Sequence, residues 1–235
     1  MFQQIGVRLI ADCIKRKIKV VSCKSVLFSG IALILQLIKS HISIKNMKRL
    51  AIFGSGSGTN AANIIKHFKD DDKVKVALVL SNKADALILE HGRNMNTASF
   101  AFSNKDLYEN DLVLALLKDH KIDFIILAGF LKLIPMNILN SYSGRIINIH
   151  PALLPNFGGK DMYGKKVHEA VIASGAIISG ITIHHVNAHF DEGEIILQAA
   201  CHVSKDDTAE TLAGKIHKLE YMYYPVVIEK LAEID

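Results

Sequence analysis

The sequence predicts an α/β protein: a mainly parallel sheet with helices packed on both of its faces. Two observations predict it. Short continuous apolar runs, the mark of strands covered on both sides, alternate along the chain with segments of helical period. The first such run ends in a glycine-rich stretch that opens a helix, the junction at which these sheets bind ligands.

The elements follow in order. Leu50–Phe53 is the first strand, and Asn60–Phe68 a helix with Ile64, Ile65 and Phe68 apolar. Val74–Leu80 is the second strand. Ala84–Asn94 has helical character, and Asp106–His120 more strongly so, with Leu112, Leu116 and Leu117 on one face. Phe124–Ala128 and Arg145–Ile149 are apolar strands; Tyr163–Ser174 is a helix stopped by Gly175. Ile181–Val186 and Glu194–His202 are strands. Asp207 and Glu210 have capping-box spacing for a last helix, which Pro225 is expected to bend or interrupt.

Charge divides the chain. Residues 1–46 carry eight basic side chains and one acid, Asp12, a net of +7; the remainder carries 20 basic and 22 acidic residues, a net of −2. The near-neutral body gives no reason to expect a nucleic-acid partner. The apolar stretch Val26–Ile38 is shorter than the roughly 20 residues a membrane-spanning helix needs, so no membrane partner is expected. Residues 1–46 are read as a basic extension, disordered or lying upstream of a true start at Met47; a targeting segment or interfacial helix is the alternative. Residues 47–235 then form the catalytic domain. Cys13 and Cys23 fall in the extension and only Cys201 in the body, with no CxxC, as befits a reducing, cytoplasmic setting.

Gly54-Ser55-Gly56-Ser57-Gly58-Thr59-Asn60 joins the first strand to the first helix. Glycines let the backbone approach a ligand, and the free N–H groups of a helix start favour an anion. A dinucleotide site would need an acid at the end of the second strand; here that end is Val79-Leu80-Ser81-Asn82-Lys83, and no Walker Lys-Ser/Thr pair follows the loop. A monophosphate is the better fit.

Asn148-Ile149-His150-Pro151 leaves a strand directly. Residues two apart on a strand share a side, so Asn148 and His150 can converge on one substrate. Asp191-Glu192-Gly193 begins a turn just before the strand at Glu194. The Asn148 amide and the His150 imidazole, protonated or sharing a proton, can both donate to an oxyanion that develops on a substrate, and Asp191 can hold a water that carries a proton. A neighbouring Asp191 is expected to raise the His150 pKa.

These residues carry a resemblance. Gly54–Asn60, Leu127-Ala128-Gly129-Phe130, Asn148–Pro155 and Asp191–Gln198, in this order and spacing, resemble the phosphoribosylglycinamide formyltransferases over Lys48 to about Leu231. The resemblance implies a twisted sheet of about seven strands with a Rossmann-like N-terminal half. It implies glycinamide ribonucleotide as acceptor and 10-formyltetrahydrofolate as co-substrate, no metal, and a monomer or homodimer. Asn148, His150 and Asp191 fall on its catalytic positions, and Gly58, Thr59 and Asn60 on its phosphate loop. Glu220 falls on the ribose position, with His217 where the family also uses Gln. Leu131, Lys132, Leu133 and Ile134 fall on the folate-lining segment together with Asn148, and Lys105 near the folate tail. Thr182 and His184 fall on supporting positions. Asp161 departs from the family, standing where a small residue is expected.

Three other readings stand beside this one. His184, His185 and His189 are dense enough to suggest zinc, but successive strand residues face opposite sides. Formyltetrahydrofolate hydrolase and other folate-dependent formyltransferases share the same centre; a separate regulatory or RNA-binding domain, which they usually carry, is not apparent here. A non-catalytic nucleotide-binding module is argued against by the intact Asn148, His150 and Asp191 set.

Overall fold

The structure, a computed structural model, describes residues 47–234. The basic segment 1–46, with its apolar stretch and its two cysteines, lies outside the described residues. The body is a seven-stranded sheet in the order β3-β2-β1-β4-β5-β6-β7. Its strands are β1 Lys48–Phe53, β2 Val74–Ser81, β3 Ala98–Ala101, β4 Phe124–Leu127, β5 Ile146–His150, β6 Ile178–His185 and β7 Ile195–His202. The first five run parallel; β6 and β7 are antiparallel to their neighbours.

Period-2 alternation sends the residues of β1 to two cores. Leu50 and Ile52 join one buried cluster with Ile64 of α1 (Thr59–His67), Ile88 of α2 (Leu87–Asn94), Val171 of α6 (Lys165–Ala173) and Tyr224 of α7 (Ala209–Ile234). Ala51 and Phe53 join the other with Leu107 of α3 (Asn104–Tyr108), Leu117 of α4 (Leu112–Asp119) and Ile138 of α5 (Met136–Ser141). β1 is buried on both sides, which is why it reads as an unbroken apolar run.

The structure departs from the sequence expectations in four ways. The segment Asp106–His120 is two helices. Ser103 caps α3 in a reciprocal box with Asp106, and Asn110 Oδ1 accepts from Leu112 N at 3.0 Å, ending one helix and starting the next. The last helix is capped one residue later than expected: Thr208 N donates to Thr211 Oγ1 at 2.9 Å and Thr211 N to Thr208 Oγ1 at 3.3 Å. Strand β3 and helix α5 are additions, each too short to show a period.

The fourth departure is Pro225, which does not interrupt α7. Proline removes the hydrogen bond to the carbonyl four residues back, here Tyr221. Asn63 Nδ2 of α1 donates to that carbonyl at 3.1 Å, so the bond the helix loses is replaced from outside. One residue before Pro225, the buried Tyr224 hydroxyl is 2.9 Å from Leu127 O and 3.3 Å from Ile147 O, at the ends of β4 and beside it in β5.

Candidate active site

The carboxyl ends of β1, β4 and β5 open onto one side of the sheet, and the glycine loop leads out of the first. Ser55 binds it to its neighbours: its N–H donates to Gly129 O, its hydroxyl donates to Asn82 Oδ1 at 2.7 Å and accepts from Leu131 N at 3.2 Å. Gly58 caps α1 with φ +71°, and a Cβ there would come within 2.5 Å of the Ile88 backbone. No side chain caps α1, so the N–H groups of its first turn face outward.

Two cavities, each of about 360 Å³, lie along these strand ends. The first has apolar walls from Phe130, Leu131, Leu133, Met162 and Phe190, and reaches Asn148, His150 and Asp191. The second is the more polar of the two, with Gly58, Thr59, Asn60, Lys83, His217 and Glu220 in its wall. They share Gly129, Leu131, Ile149, Pro151, Tyr163 and Gly164, so they meet beside His150.

Antiparallel register assembles the centre. Asn148 on β5 stands opposite His184 on β6, and His150 opposite Thr182. His184 Nδ1 lies 2.8 Å from His185 O, and its Nε2 lies 3.1 Å from Asn148 Nδ2 and 3.6 Å from Asp191 Oδ1. Asn148 Nδ2 also lies 3.5 Å from Asp191 Oδ1, a contact too long to hold it. Thr182, wholly buried, accepts from Leu154 N, donates to Ala152 O and accepts from Gln198 Nε2, bracing the turn that follows His150.

Asp191 adopts φ +58°, a conformation Asp tolerates. It is aimed by Gly193, where a Cβ would lie 1.6 Å from His185 O: only glycine lets the turn pack this close to β6. Asp191 Oδ2 accepts from Gly159 N at 2.9 Å and lies 3.4 Å from His150 Nδ1. Burial pushes its carboxyl pKa up, but His184, His150 and the Gly159 N–H outweigh burial and hold it below the ordinary range. His150 Nε2 lies 2.8 Å from Phe157 O, so the neutral ring donates there and turns a bare Nδ1 to the carboxylate. The expected rise in the His150 pKa is not what results. Burial lowers it; Asp191 and Phe157 O oppose burial without overcoming it, and His184 adds to the fall. The histidine is 3% exposed and stays neutral at neutral pH.

On the polar side, Asn60 Nδ2 donates to Glu220 Oε2 at 2.9 Å. Burial raises the Glu220 pKa, and Asn60 and His217 pull it back. Of the residues expected to line a folate, Leu131, Lys132 and Leu133 line the apolar cavity, while Ile134 is buried behind it in a small recess shared with His184. Lys105 is exposed on α3 and outside the cavity wall; Tyr108, one turn on, lines it. Asp161, at φ +68°, is exposed on the rim loop. His184 and His185 point to opposite sides of β6, and among the described residues no group of three His, Cys, Asp or Glu side chains is placed to hold a metal. Lys83, Tyr163 and His168 line the polar cavity and carried no sequence signal, because each reads as an ordinary loop or helix residue.

Comparison with known proteins agrees with this arrangement. A family model described as formyl transferase matches residues 48–228. The chain is 38% identical over 195 residues to a phosphoribosylglycinamide formyltransferase of Bacillus subtilis, covering 80% of this chain and 97% of that protein. It is 40% identical over 202 residues to the chloroplastic phosphoribosylglycinamide formyltransferase of Vigna unguiculata, covering 83% of this chain but 64% of the plant protein. The crystal structure of phosphoribosylglycinamide formyltransferase from Bacillus halodurans superposes with a TM-score of 0.71 at 38% identity, covering 78% of this chain and 95% of that one. With its sheet, its paired cavities and matches that run through nearly the whole body, the chain belongs to the formyl transferase family.

Proposed function

We propose that this chain is a phosphoribosylglycinamide formyltransferase, which moves the formyl group of 10-formyltetrahydrofolate to the primary amine of glycinamide ribonucleotide in purine synthesis. The observation that carries the reading is the junction of an apolar cavity and a polar one beside Asn148, His150 and Asp191. A flat heteroaromatic donor suits the first; a phosphorylated, hydroxylated acceptor suits the second.

In this reading Leu131, Lys132, Leu133 and Ile134 form the folate side, and the exposed Lys105 serves the acidic folate tail beyond the cavity mouth. Gly58, Thr59 and Asn60 hold the acceptor phosphate on the first turn of α1. Glu220 takes the ribose hydroxyls, with His217 beside it.

The acceptor amine attacks the formyl carbon, and the carbonyl oxygen becomes an oxyanion. The Asn148 amide, weakly held toward Asp191, is the donor for it. The attacking nitrogen gives up a proton through a water held by Asp191 to His150 Nδ1, the bare nitrogen of the neutral ring. The carboxylate, ionised throughout, balances the imidazolium. His150 then returns that proton to the folate nitrogen as its bond to carbon breaks, so the cycle closes with an amide and a free folate. The free thiol of Cys201 fits a reducing compartment, the cytosol.

Formyl transfer measured with and without glycinamide ribonucleotide tests the proposal. Turnover is expected to require the acceptor. Release of formate at the same rate without it would identify a hydrolase instead, and no turnover with it would refute the assignment.

A further inference from the structure

The polar cavity contains a histidine that the chemistry above leaves idle. His168 lies on α6, 3% exposed, on the face it shares with the fully buried Val167 and Val171. A packing residue by that measure, it nevertheless forms part of the wall of the polar cavity with Gly58, Thr59, His217 and Glu220. Buried ring nitrogens are normally partnered. Nδ1 of His168 has no partner among the described residues. In the same cavity the Oδ1 atom of Asn60 is also buried without a partner, its amide nitrogen being committed to Glu220. Nε2 of His168 also makes no hydrogen bond among the described residues, and unlike Nδ1 it is not shut away from the cavity, so it is the ring atom open to a ligand.

The tautomer follows from cost. A buried lone pair left bare is less expensive than a buried N–H left bare. Nδ1 of His168 is therefore the bare nitrogen and Nε2 carries the proton. Burial, then His217 and His150, hold its pKa below the ordinary histidine value, so the ring is a neutral donor at neutral pH. His168 shares the cavity wall with His217 and Glu220 at the ribose end and with Ile149 and Pro151, the two residues that flank His150 in the chain.

This rests on the proposed acceptor. Between its ribose and its amine, glycinamide ribonucleotide offers one strong hydrogen-bond acceptor, the amide carbonyl oxygen. We propose that His168 is a specificity-determining residue that donates its Nε2 proton to that carbonyl, fixing the length and direction of the arm that carries the amine to His150.

The test is steady-state kinetics on the full chain, with the Michaelis constants for acceptor and folate measured separately. His168→Ala is expected to raise the acceptor KM about tenfold, the worth of one lost hydrogen bond, with the folate KM unchanged and kcat within about twofold. His168→Gln, whose side-chain N–H reaches the place of Nε2, is expected to recover most of the loss. If the alanine variant does not fold, His168→Leu, which keeps the volume, carries the same test. An unchanged acceptor KM, an equal rise in both constants, or Gln failing as badly as Ala overturns the inference. Absence of any transfer to glycinamide ribonucleotide by the unaltered chain would instead remove the functional reading beneath it.

Discussion

The two halves of the sheet build the site by different means. In the parallel half, β1, β2 and β4 are buried almost throughout and their side chains are spent on the two cores, while β3 is a half-exposed edge. What these strands offer is their ends: the glycine loop, the uncapped start of α1, and the Gly129–Leu133 segment. In the antiparallel half, β6 faces β5 residue for residue, and β7 alternates between covered and exposed positions. There the site is made by side chains in register, His184 against Asn148 and Thr182 against His150. Parallel strand ends supply backbone donors to hold a substrate; an antiparallel pair supplies cross-strand contacts that fix amide and imidazole orientations.

If the division is right, the largest losses come from the centre it orients. His150→Ala and Asp191→Asn are each expected to reduce kcat by about 10²–10⁴-fold while circular dichroism stays unchanged. The pH profile sharpens this. The His150 pKa is held below its ordinary value, and Asp191 is the strongest influence raising it. Catalysis that needs the neutral ring is lost as pH falls through that depressed value. Removing the Asp191 charge lowers the value further, so the acid limb of kcat/KM in Asp191→Asn must move to lower pH. A shift to higher pH would break the assignment.

A smaller effect is expected one strand away. Thr182→Val keeps the shape but removes the donor to Ala152 O and the acceptor for Leu154 N and Gln198. It should cost about 1–3 kcal/mol in denaturant unfolding, and lower kcat without a selective change in either KM. On the parallel side the effect falls on binding alone. Lys83 is exposed at the edge of the polar cavity, and Lys83→Ala should raise the acceptor KM a few-fold, about 3 to 5, by an amount that shrinks as salt is added. Gly58→Val cannot serve here, because its side chain would strike the Ile88 backbone and test the fold instead. The smallest effect is predicted for residues 1–46. A chain beginning at Met47 should fold and transfer formyl groups at the rate of the full chain. Insolubility or inactivity of the shorter chain alone would give that segment a structural role.

In the parallel half β1, β2, β4 and β5 were legible in the sequence, and the short edge strand β3 was not. Those four are largely apolar runs because both faces are covered, and the loop after β1 is rich in glycine because backbone must approach backbone. Asn148 and His150 were legible by their spacing of two, and Asp191 by the family motif around it. What escaped was set by tertiary contact. Pro225 leaves α7 unbroken because Asn63, 158 residues away, takes the freed carbonyl. The direction of the His150 pKa depends on burial that no local pattern reveals. His168 has the spacing of a core residue and becomes visible as something else only when its nitrogen is found without a partner.

The Asn60–Glu220 contact joins residues 160 apart in the chain. Closing so long a loop is slow relative to local pairing, because the entropy of bringing the ends together must be met before any contact rewards it. During synthesis the glycine loop and the whole parallel half leave the ribosome before the residues that complete the polar cavity exist. The nascent chain at that stage lacks both the far wall of the polar cavity and the α7 side chains that complete one of the two cores. Tyr224, which ties α7 to the ends of β4 and β5, comes only four residues after Glu220. Docking of the last helix is therefore the event that closes the core and the polar cavity together, and affinity for the proposed nucleotide acceptor should appear in one late step as α7 emerges.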